Sequence, residues 1–181
     1  MSVDLLWTGL FMDGSRHWTG RGQGNQPPAG QNVVKVNSGP SFALLESQTT
    51  AWPGEFGDDL EARFVGYKYN RRQEPAFYFT LAGLKIEDRP QAILGRNRFG
   101  LQRAITIEVG GKVPSTLHFR AANGIEVKEL GGNRFDLGGQ VVLEVGKGTA
   151  NRPYVRNNNE LLIPLQLKRG ENILNLRYSW N

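Results

Sequence analysis

The densest group of chemically useful side chains lies in FMDGSRHWTGRGQG, residues 11–24, where Asp13, Arg16, His17 and Trp18 fall among glycines 14, 20, 22 and 24. In a catalytic reading His17 is a general base oriented by Asp13, and Trp18 is a platform for a substrate. The four-residue spacing of Asp13 and His17 would align them on a helix, but the glycines argue against one, so the spacing carries little weight. The plainer reading is preferred: Asp13 forms a turn, His17 is a loop residue and Trp18 is a lid over one end of a β-structure.

Other chemistries find less. Only His17 and His118 could offer imidazole to zinc, which would then need carboxylates as well. Asp58-Asp59 and Glu87-Asp88 carry oxygen ligands, but no D-x-[DN]-x-[DN]-G calcium loop is present. The pair Glu87-Asp88 follows a strand-like LKI, and neighbours on a strand point to opposite faces, so the two cannot easily flank one glycosidic bond. There is no G-x-S-x-G, and GRGQG and GKG fit neither a P-loop nor a dinucleotide fingerprint. The chain has 0 cysteines, which removes disulfides, thiolate metal sites and a cysteine nucleophile. No metal or cofactor is expected.

Aromatic residues near turns are a better lead. Trp7, Trp18, Trp52 and Tyr154 lie beside Asn, Arg and Asp, the combination with which a surface stacks sugar rings and bonds their hydroxyls, although core packing accounts for the same residues. The expected binding set is Trp18, His17, Arg16, Trp52 and Asp13, brought together where the loop after residue 13 meets the irregular stretch 47–59.

The elements that must position these residues read as short strands. The best candidates are NVVKV, ARFVGYKY, AFYFTL, AITIEV, TLHFRA, QVVLEV, LLIPLQL and NILNLRYSW, separated by Gly, Asn, Asp and Pro. In AITIEV, Ile105, Ile107 and Val109 share one face, and Leu174, Leu176, Tyr178 and Trp180 do so in the last strand. Gly110-Gly111, Asn123-Gly124 and Gly138-Gly139 suit tight hairpins and predict one meander from Ala104 to Val145. Phe11 and Met12 are expected to end the first strand and anchor it in the core. The fold class is all-β, an antiparallel, jelly-roll-like β-sandwich in a single domain over residues 1–181, standing alone or cut from a longer chain.

At 181 residues such a domain buries roughly 70% of its unfolded surface. No apolar run spans a bilayer, and the start has the features of neither a membrane helix nor a signal peptide. The net charge of +5 invites nucleic acid, but the basic residues are spread out, with only pairs such as Arg71-Arg72 and Lys168-Arg169, which argues against it.

The stretches FMDGSRHWTGRG, GYKYNRRQEPAFYF, GLQRAITI, LHFRAANG and ELLIPLQLKRGENILNLRYSW resemble an accessory β-domain of large secreted bacterial proteins that carry c-type haem and sugar-dehydrogenase-like modules. The resemblance runs along most of the chain. It implies a β-sandwich in a periplasmic or secreted setting, while haem and dehydrogenase chemistry belong to the neighbouring modules. The leading expectation is a non-catalytic accessory module that binds carbohydrate or a neighbouring domain of the same polypeptide. The alternatives are a small sugar-processing enzyme of mutarotase or glycosidase type using Asp13, His17 and Glu87, and a nucleic-acid binder resting on net charge alone.

Overall fold

The computed structural model describes residues 2–17, 26–55, 60–95 and 99–180. Its strands are β1 (Leu5–Thr8), β2 (Gln31–Lys35), β3 (Phe42–Leu44), β4 (Arg63–Tyr69), β5 (Pro75–Leu81), β6 (Leu84–Leu94), β7 (Phe99–Val109), β8 (Leu117–Asn123), β9 (Val127–Gly131), β10 (Arg134–Leu137), β11 (Val141–Val145), β12 (Tyr154–Arg156), β13 (Glu160–Pro164) and β14 (Gly170–Trp180). They form an eight-stranded sheet in the order β4-β5-β6-β7-β14-β11-β10-β9, a four-stranded sheet β12-β13-β8-β3 and the small ribbon β1-β2. Pairing is antiparallel throughout and the sheets stay open, so the all-β sandwich expected from the alternation is the fold observed.

Alternation decides which face each residue joins. Ile86, Ile105, Ile107, Leu143, Leu174 and Leu176 of the large sheet all point inward and are buried, meeting Phe42, Leu117, Phe119, Leu161 and Ile163 of the small sheet in one core. Phe42 and Phe119 pack edge to face at 5.1 Å. Glu87 and Asp88 do part to opposite faces. Asp88 turns inward, where Arg103 grips it through Nε at 2.8 Å to Oδ1 and Nη2 at 2.6 Å to Oδ2. Burial works to lower the Arg103 pKa, and the adjacent Asp88 carboxylate more than offsets this, holding it above the usual arginine range. Tyr178 lies beside this pair, its phenol pushed up to about 12 chiefly by burial.

The single meander is corrected. Of its three glycine turns, only Gly138-Gly139 closes a hairpin, with φ of 60° and 71° between the paired residues Leu137 and Val141. Gly110-Gly111 and Asn123-Gly124 instead carry the chain from one sheet to the other, because β7 is already flanked by β6 and β14 and has no free edge for β8. Phe11 and Met12 are likewise not core anchors: β1 ends at Thr8 and both side chains are exposed. The last strand does lie inside a sheet, between β7 and β11.

Candidate functional site

Of the expected binding set, the side chains of Asp13 and Trp52 fall within the described residues. Trp18 lies outside the described residues, as do the side chains of Arg16 and His17. Residues Gly14–His17 make one 3-10 turn rather than open loop, started by Asp13, whose Oδ1 accepts hydrogen bonds from the Ser15 amide at 3.0 Å and hydroxyl at 2.7 Å. Trp52 is half-buried. Its Nε1 donates to the Pro40 carbonyl at 3.0 Å, its ring carries the Arg120 guanidinium at 4.8 Å, and it packs with Tyr154 against Ala43, Leu45 and Leu162.

Arg120 and Arg156 both bind Glu160, and Arg156 also donates to the carbonyls of Gln48 and Thr50. Burial lowers the Arg120 pKa and Glu160 works against that. Trp52 therefore serves, with this network, to fasten the 37–52 segment to the outer side of the small sheet. Trp7 is also committed locally, donating to the Leu10 carbonyl at 3.0 Å and stacking on Phe11 at 5.5 Å.

A different site is built on the outer face of the large sheet. Register places Gly66, Tyr78, Glu87 and Thr106 in one row across β4 to β7, and Thr80, Lys85, Glu108 and Glu171 in the next row across β5, β6, β7 and β14. These rows line an open trough of about 710 Å³, within the range of ligand sites. At its centre is Tyr78, whose hydroxyl donates to Glu87 Oε1 at 3.4 Å. Arg89 holds the same carboxylate from outside, and that hydrogen bond raises the Arg89 pKa. The Lys68 ammonium stands 5.6 Å from the Tyr78 ring centre.

Electrostatics distinguishes what the trough can hold. Its lining has two lysines, Lys68 and Lys85, and three glutamates, Glu87, Glu108 and Glu171. Lys85 already pairs with Glu108 at 3.6 Å. Glu108 and Glu171 face each other across β7 and β14, a like-charge juxtaposition that sheets usually avoid. The trough thus offers carboxylate acceptors, two threonine hydroxyls and the outward ring of Tyr78, and no surplus of cations for a phosphate.

Of the acid-base set, the His17 side chain lies outside the described residues; Asp13 accepts from Ser15 in the turn beyond β1, and Glu87 on β6 is bonded by Tyr78 and Arg89. Tyr78 and its neighbours escape sequence reasoning because AFYFTL looks like a core strand. The available signal is that Phe77, Tyr78 and Phe79 put aromatic rings on both faces of one strand, and in a sandwich of two layers one of those faces is the outer one. Compared with known proteins, the chain matches no family model, no curated protein and no solved structure.

Proposed function

We propose that this chain is a non-catalytic accessory module that binds a neutral carbohydrate in the outer trough, in an extracytoplasmic setting. The observation that carries the reading is the pairing of the outward Tyr78 ring with acceptors and hydroxyls on adjacent strands in a trough whose lining has no net positive charge. A sugar stacks an apolar ring face on Tyr78 and donates hydroxyl hydrogens to Glu87 and Glu108. Lys68 is exposed, and a cation over a tyrosine in water is worth only about 0.5–1 kcal/mol, so it gives way to the sugar or bonds a hydroxyl. Strands, rather than loops, fix these side chains, which suits recognition of one ring geometry.

The test is a glycan array followed by calorimetry on the best glycan. Binding should be insensitive to salt and should fall at least about tenfold in Tyr78→Ala, the loss of roughly 1.4 kcal/mol of stacking and oriented bonding. Retained affinity in that variant, or affinity that drops steeply with salt, would falsify the reading.

A further inference from the structure

The inner face of the large sheet runs on past its cover. Phe64, Tyr67 and Tyr69 of β4 lie opposite Phe79, Phe77 and Pro75 of β5, on the face that carries the core elsewhere. Here the small sheet does not reach: Phe64 is 55%, Tyr67 57% and Tyr69 59% exposed. Their rings pack on one another instead, Phe64 on Phe79 at 5.3 Å and Tyr67 on Tyr69 at 5.5 Å. The interplanar angles of 52° and 75° present edges as much as faces, which suits side chains of a protein better than a flat sugar.

β4 also ends the sheet, so its outer edge meets no other strand among the described residues. The side chains on its opposite face are cationic. Arg63 pairs in register with Thr80 and Lys68 with Ala76, both on the trough side, and Arg71 and Arg72 follow in the turn. None of these four cations is in an ion pair among the described residues. The nearby Glu74 carboxylate is engaged by Asn70 and Gln91.

A strand with aromatic residues on one face and unpaired cations on the other calls for a neighbour that is apolar on the first and acidic on the second. We infer that the free edge of β4 takes up an extended segment of a partner protein in which apolar and acidic residues alternate, adding a ninth strand to the large sheet. A second copy of this chain is a poorer occupant. The bulge between Phe64 and Gly66 breaks the alternation within β4, so self-pairing about its middle sets Lys68 of one copy against Phe64 of the other, on opposite faces.

The probe is a fluorescent peptide of about ten alternating valines and glutamates, long enough to span β4, compared with its scrambled counterpart and with an alternating valine–lysine peptide. By anisotropy the valine–glutamate peptide should bind about tenfold more tightly than either control, the value of two to three screened charge pairs plus register, and should weaken with salt. Tyr67→Ser with Tyr69→Ser should abolish the binding. Arg63→Glu with Lys68→Glu should transfer the preference to the valine–lysine peptide, a gain that misfolding cannot produce. Equal binding of the scrambled peptide, no binding at millimolar peptide, or a concentration-dependent dimer lost in the tyrosine variant each overturns the inference.

Discussion

Two stretches of the same sheet face behave differently. On β6, β7 and β14 the inward residues Ile86, Ile107 and Leu174 are sealed under the small sheet, next to the buried Asp88–Arg103 pair. On β4 the inward residues Phe64, before the bulge, and Tyr67 and Tyr69, after it, bring large rings to the same face, yet they stand in solvent. Pleating assigns residues to a face. Whether that face becomes core depends on how far the second layer extends, which here is set by a small sheet of four strands lying against one of eight.

The contrast can be broken most severely at its buried end. Asp88→Asn leaves the Arg103 guanidinium inside the sandwich without its counter-charge, and urea unfolding should show a loss of about 3–5 kcal/mol. Phe119→Ala, which removes the ring packed between Phe42 and Arg103, should cost a similar 3–5 kcal/mol or slightly less. An unchanged midpoint in either variant would mean that the small sheet does not cover this part of the face.

Tyr178 supplies an intermediate effect with a pH signature. Its phenol keeps its proton to about 12 in the folded chain, against about 10 when unfolded. Between those values the unfolded state has lost a proton that the folded state retains. Stability attributable to Tyr178 is therefore complete below pH 10 and falls at about 1.4 kcal/mol per pH unit toward 12. Tyr178→Phe should flatten that portion of the stability profile relative to the parent, measured by denaturant midpoints across the alkaline range.

The smallest effect belongs to the exposed flank. Tyr67→Ser should change stability by less than about 1 kcal/mol, the worth of an exposed cross-strand aromatic contact. A loss comparable to that of Phe119→Ala would mean that the flank is covered in solution and that the comparison fails.

Fold class was readable because half-buried antiparallel strands write a period of two into the chain, as Ile105, Ile107 and Val109 do. Sheet partnership was less so: Gly110-Gly111 and Gly138-Gly139 are the same dipeptide, yet one crosses between sheets and the other closes a hairpin, since the available edges decide. The candidate trough was hidden for a related reason. Tyr78, Glu87 and Glu108 sit on three successive strands and share a face only through register, which is a property of pairs. Tryptophans near turns drew attention instead, and Trp52 proves to be a fastener for a loop.

The placement of β14 has a consequence for how the fold comes into being. Its eleven residues pair over ten positions with β7 and over five with β11, forming the bridge between two groups of strands within the large sheet. During synthesis β4 to β7 and β9 to β11 can each form as local hairpins, but they remain separate ribbons until residues 170–180 have left the ribosome. Closure onto β7 then joins residues from 61 apart, Gly170 with Val109, to 79 apart, Ser179 with Gly100, a non-local step of the kind that makes sandwiches fold in milliseconds to seconds rather than microseconds. Until then the inner edges of β7 and β11 are exposed to other chains, so nascent protein should depend on chaperone protection in a way the finished fold does not.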